Sequence, residues 1–166
     1  MSELDQARFL VRGTTLALAA GVERVCWYTV TDYQNFLHDK EAAFGFFRYQ
    51  PPPATGPLEP KPAFTAAATF ARVLGNARFA RDLRQELRLP DEAYALSFRD
   101  RRTHRTVIVF WATRDGVPVH AGVASSARRV QTVPFDGTPA TDLGRTNALD
   151  LTLGRSPLYV VLDERG

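Results

Sequence analysis

Cysteine, lysine and long apolar runs are scarce in this sequence, and each scarcity excludes a class of protein. Cys26 is the only cysteine among 166 residues, so no internal disulfide forms and no Cys/His cluster has zinc-ligand spacing. Set within the run Val22–Val30, it reads as a small core residue. Lysine occurs only at Lys40 and Lys61 among 21 basic residues, which face 18 acidic ones for a formal charge of +3. The acids are interspersed with the arginines, a compositional bias rather than the clustered footprint of a nucleic-acid binder. The longest apolar stretch, Thr14–Gly21, is too short to span a bilayer. Met1–Leu10 lacks a basic segment followed by an apolar core, so no signal peptide is expected and the expected location is the cytoplasm. His38 and His120 have no second ligand at metal spacing, and no glycine-rich loop could cradle a phosphate, so neither metal nor cofactor is expected.

What is present begins with a helix. Ser2 is placed to cap it, with Asp5 three residues on. Phe9, Leu10, Leu16 and Ala20 form one broad apolar side, and Gly21 suits the residue just past the helix end. Val22–Val30 follows at once, nearly uniform in β-branched and aromatic residues, and predicts a strand buried on both faces. Residues 31–61 are a long polar connection whose proline clusters forbid regular structure over much of it. A second helix runs from Pro62 to Gly75-Asn76, with Ala66, Phe70, Val73 and Leu74 as its buried stripe.

From about residue 78 the pattern changes to short alternating runs separated by turn residues. "AYALSFR", "RTVIVFWA", "VPVHAGVA", "RRVQTVPF", "ALDLTL" and "SPLYVVLD" predict six strands of an antiparallel sandwich or sheet. The fold class is therefore α+β, divided into a segment 1–76 and a β-sandwich domain 77–166. One strand stands apart from this plan. A buried Trp covers roughly 150–250 Å², so leaving Trp27 exposed would forfeit about 4–6 kcal/mol. The run Val22–Val30 needs strands beside it that the sequence does not contain.

The stretches "QARFLVRGTTLALAAGVERVCWYTVTD", "AAFGFF", "PKPAFTAAATFARVLGNARF" and the closing "LTLGRSPLYVVLD" resemble, in this order, the C-terminal end of certain retaining glycoside hydrolases. These are similar to the family-39 group, (β/α)₈ barrels followed by a small β-sandwich. The pattern "GV..V.WY...D", the "FG" of the next loop and the "KPA" opening the last helix carry most of the likeness. The resemblance implies that Gln6–Ala20 stands where barrel helix 7 does, Val22–Val30 where strand 8 does, and Pro62–Leu74 where helix 8 does.

Such enzymes use two carboxyls about 5–5.5 Å apart, and the resemblance implies that both lie on strands ahead of Met1. No catalytic residue is thus assigned. Glu3 suits a helix first turn, and Asp39 and Glu41 flank Lys40 in a solvated pattern. What the resemblance leaves is substrate contact at the barrel mouth. Trp27, Tyr28 and Asp32 sit at the end of the strand-8-like segment. The resemblance implies that Trp27 floors a sugar subsite, although the residues alone leave it open between site and core. Tyr28 has the parity of a helix-packing residue, and Asp32 is open between sugar contact and turn. Phe36, Phe44, Phe46 and Phe47 read as pins for the long loop. "FRDRRTHRTV" gathers four arginines and His104 about a turn, either solvated or an anion site.

Two functions remain open: a glycoside-hydrolase-like fragment inactive alone, or a non-enzymatic β-sandwich module that binds carbohydrate or protein. Both expect a homo-oligomer or a companion chain over the orphan strand, because unpaired strand edges invite pairing. Neither calls for nucleic acid or membrane.

Overall fold

The computed structural model describes residues 2–34, 40–53, 56–123 and 127–164. Helix α1 spans Glu3–Ala19. Ser2 Oγ accepts the Asp5 backbone N–H at 3.0 Å and donates to the Asp5 carboxylate at 2.8 Å, so the first turn is capped as its sequence predicts. Gly21 closes the far end at φ 88°, with Val22 N–H bonded to Ala17 O and Gly21 N–H to Leu18 O, a Schellman arrangement. Helix α2 spans Pro62–Leu74, with Pro62 at its first turn.

Eight strands follow: β1 (Arg78–Asp82), β2 (Ala93–Asp100), β3 (Arg105–Ala112), β4 (Val117–Gly122), β5 (Arg129–Pro134), β6 (Thr141–Gly144), β7 (Ala148–Leu153) and β8 (Leu158–Asp163). They form a six-stranded antiparallel sheet ordered β1-β2-β3-β8-β5-β6 and a separate ribbon, β4-β7. The molecule is layered. Helices α1 and α2 cover one face of the large sheet, sharing a core with Phe98, Val109, Trp111 and Tyr159. The ribbon covers the other face, where Ile108, Phe110, Val119, Leu149 and Val160 meet.

This layering explains the sequence pattern. The inner strands β3 and β8 are buried almost without interruption because both faces are covered. β4 alternates strictly between buried and exposed, having solvent on one side. Six of the eight strands fall where the alternation predicts them. The other two, β1 and β6, are the sheet edges. All their residues are exposed, so no apolar period marks them.

Three expectations are corrected. Val22–Val30 forms no strand here; it runs extended along the surface, with only an isolated bridge from Thr31 to Phe47 at its end. A run of strand-forming residues still needs a neighbouring ladder, and the sheet of this chain lies beyond the helices. Cys26 is accordingly exposed, not core. On α1 the buried stripe is Ala7, Leu10, Val11, Thr14 and Thr15, whereas Phe9 and Leu16 are exposed on the side turned from the sheet. The helices ahead of residue 77 also share their core with the strands after it.

Candidate functional site

The three sequence patterns behind the family resemblance meet at one buried node. Asp32 ends the first pattern, Gly45 belongs to the second and Lys61 opens the third. Lys61 is buried although its residue type rarely is. Its ammonium lies 3.0 and 3.1 Å from the Asp32 carboxylate oxygens and donates to Ala43 O at 2.7 Å. Gly45 N–H donates to Asp32 Oδ1 at 2.7 Å. A Cβ on Gly45 would lie 2.2 Å from the Asp32 backbone nitrogen, so only glycine allows the loop this close. The lysine charge is compensated, and the loop is held against the start of α2.

Around this node the loop is tied to α1. Gln6 Nε2 donates to the carbonyls of Phe44 and Gly45 at 2.8 and 3.1 Å. Arg48 grips Glu3 with two bonds, of 3.0 and 2.6 Å, and also pairs with Glu59. Hydrogen bonding to Glu3 is the main reason the Arg48 guanidinium holds its proton more firmly than usual. Phe47 packs on Phe64 with ring centres 4.9 Å apart, and Phe46 packs against the helix-side core, as pins should; Phe44 is exposed. The readings placed on Phe36, His38 and Asp39 lie outside the described residues.

Trp27 and Tyr28 precede Asp32 on the exposed segment Val22–Val30. The Trp27 indole N–H donates to Thr14 Oγ1 at 3.2 Å, and its ring meets Phe9 edge-on at 6.4 Å. Trp27 is nevertheless 37% exposed, and Tyr28 is 61% exposed. It is therefore Trp27 that leans on the helix and Tyr28 that is open, the reverse of the expected parity. With no ladder beside the segment, no pleat fixes which way each side chain points. Asp32 is brought next to the loop rather than to an open sugar-facing position, since both its oxygens are engaged.

The chemistry on offer is limited. Glu3, the acid nearest a strand-7 end by the resemblance, and Asp32 are each held by a cation. Among the described residues no group of three or more His, Cys, Asp or Glu side chains could hold a metal. No helix among them is long and apolar enough to cross a membrane. Sequence reasoning counted Lys61 in the "KPA" pattern but gave its side chain no role.

No protein-family model matches the sequence, and no curated protein matches it. Among solved structures, a family 39 glycoside hydrolase from the gut symbiont Bacteroides cellulosilyticus WH2 superposes with a TM-score of 0.75 over 98% of this chain, at 22% identity. The chain is glycoside-hydrolase-like in fold. It spans 31% of that enzyme's length. A GH30 endoxylanase from Clostridium papyrosolvens C71 aligns over 63% of this chain and 28% of its own, at 16% identity and a TM-score of 0.44, too low to establish a shared fold. The glycoside-hydrolase-like fold agrees with the resemblance read from the motifs, and the Asp32–Gly45–Lys61 node gives those motifs a physical reason.

Proposed function

We propose that this chain is part of a glycoside-hydrolase-like assembly in which Val22–Val30 joins a sheet supplied from outside these residues. The Trp27–Tyr28 edge then meets a sugar ring at the end of that sheet. One observation carries this reading. Of the 13 exposed large apolar side chains among the described residues, eight lie between Leu4 and Val30, on the outer side of α1 and along the unpaired segment. Concentrated exposure of this kind marks a surface built to be covered.

The parent activity would be hydrolysis of glycosidic bonds with retention, by a carboxyl pair about 5–5.5 Å apart. With Glu3 held by Arg48 and Asp32 by Lys61, this chain supplies contact and scaffolding rather than the acid or the nucleophile. Alone, it is expected to hydrolyse no aryl glycoside. Turnover by the purified chain that disappears in Glu3→Gln would refute that. Sugar contact is tested by saturation-transfer NMR with neutral pyranosides, expected to mark the rings of Trp27 and Tyr28. Transfer elsewhere, or none at high millimolar sugar, counts against the subsite.

The alternative of an independent binding module draws support from the core that α1 and α2 share with the sheet, which closes a unit without further strands. Sedimentation separates the two. Aggregation or partial unfolding of the purified chain supports the orphan-segment reading, and a stably folded homo-oligomer supports the self-sufficient module.

A further inference from the structure

The arginines that look interspersed in the sequence are gathered by the fold at one end of the large sheet. Two adjoining clefts of about 820 and 800 Å³ share Ala80 and Arg99. Between them they are lined by six arginines: Arg78, Arg81, Arg88, Arg99, Arg101 and Arg102. Only three carboxylates line the same surface, those of Glu86, Asp100 and Glu164. The excess equals the +3 formal charge of the whole chain. Each carboxylate is already engaged. Glu86 pairs with Arg81 at 3.2 Å and Glu164 with Arg99 at 2.9 Å, while Asp100 accepts the backbone N–H groups of Arg102 and Thr103. Among the described residues Arg78, Arg88 and Arg101 have no carboxylate partner.

A second observation makes the cluster more than a solvated turn. In the β1–β2 pairing, Arg78 stands directly opposite Arg99. Like charges facing each other across a ladder cost stability; Glu164 offsets Arg99 alone, and an anion seated beside Arg78 would relieve what repulsion remains. Arginine forks also match carboxylate and sulfate oxygens two at a time.

We propose that this end of the sheet is a binding site for an acidic saccharide chain, whose charged groups sit on Arg78, Arg99 and Arg101. Its hydroxyls would donate to the interspersed carboxylates. The choice of a saccharide rests on the glycoside-hydrolase-like reading, whereas the arginine cluster stands without it. A nucleic-acid backbone also carries dense negative charge and is the competing occupant, which the titration below distinguishes.

The test is an NMR titration of the isotopically labelled chain with four probes: a galacturonate tetramer, a heparin tetrasaccharide, a neutral cello-oligosaccharide and a thymidine oligonucleotide. At least one acidic saccharide should shift the amides of residues 76–81 and 99–102, and added salt should weaken it. The neutral probe should leave those amides unmoved. The double variant Arg78→Gln/Arg101→Gln should weaken binding roughly tenfold, as the loss of two exposed charge contacts predicts. Arg114→Gln, beyond the far end of β3, should leave binding unchanged, and a cooperative melt retained by each variant would show that the fold is kept. No response to either acidic saccharide, or one insensitive to the double variant, overturns the proposal. So does an oligonucleotide that binds tighter through the same arginines. The sugar edge is read separately, from the amides of residues 27–30 with neutral sugars, so either proposal can fail alone.

Discussion

Replacing Lys61 by methionine keeps the length of the side chain and removes its charge. In the native chain Lys61 is 2% and Asp32 12% exposed, so the pair is largely out of water. Removing one partner of a buried pair typically costs about 3–5 kcal/mol, because the other charge is left uncompensated. Among the described residues, Asp32 would then keep the Gly45 N–H alone. For a domain of this size each kcal/mol moves Tm by roughly 2–4 °C, so a fall of about 6–20 °C is expected. Urea unfolding followed by circular dichroism measures the loss, and the double-mutant cycle with Asp32→Asn isolates the pair. Asparagine still accepts the Gly45 N–H but carries no charge, so the double variant should lose less than the sum, by at least about 1 kcal/mol. A Lys61→Met cost below about 1 kcal/mol, or strict additivity, would refute the view that this pair anchors the loop.

Gly45→Ala should destabilise by about 1–3 kcal/mol or more, since its Cβ would collide with backbone rather than with a yielding side chain; limited proteolysis should then cut between residues 40 and 60 before it touches the sheet. The Tyr159 hydroxyl is buried with no hydrogen-bond partner among the described residues, so Tyr159→Phe should be neutral or up to about 2 kcal/mol stabilising by thermal melting. Burial also pushes its phenol well above the ordinary value. The unfolded chain therefore ionises first, and stability should fall as pH rises past about 10 in the native protein, less so in the phenylalanine variant. At the acid end, hydrogen bonds from Ser2, Arg84, Thr103 and Arg129 hold Asp5, Asp82, Asp100 and Asp142 below their ordinary values. Their stabilisation is present above the unfolded values and is lost as pH falls through the folded ones, so the urea midpoint should drop below about pH 4. A midpoint that stays flat to strongly acid pH would contradict this.

Where the chain satisfies its own needs, its sequence is readable. Ser2 and Gly21 mark the ends of α1 through local backbone bonds, and the six predicted strands follow turn residues and apolar periods that act over a few positions. Where the outcome depends on partners far along the chain, the pattern misleads. Val22–Val30 has the composition of a buried strand, but burial is a property of neighbours, and in this chain none is near. Phe9 and Leu16 count toward a helix stripe by hydrophobicity alone, although only the side bearing Ala7, Val11 and Thr15 faces the sheet. The role of the Lys61 side chain escapes notice for the opposite reason: lysine is read as surface, and its burial is allowed only by Asp32, 29 positions earlier.

The order of strands in the large sheet sets a condition on synthesis. β8 is the last strand made, yet it lies in the middle, bonded to β3 on one side and β5 on the other. Until residues 158–163 leave the ribosome, β1-β2-β3 and β5-β6 are two patches with no strand ladder joining them, each presenting an open edge. A nascent chain halted before Leu158 therefore cannot store its completed part safely. The sheet closes like a zip fastener whose slider arrives last, and chaperone contact should be strongest just before it does.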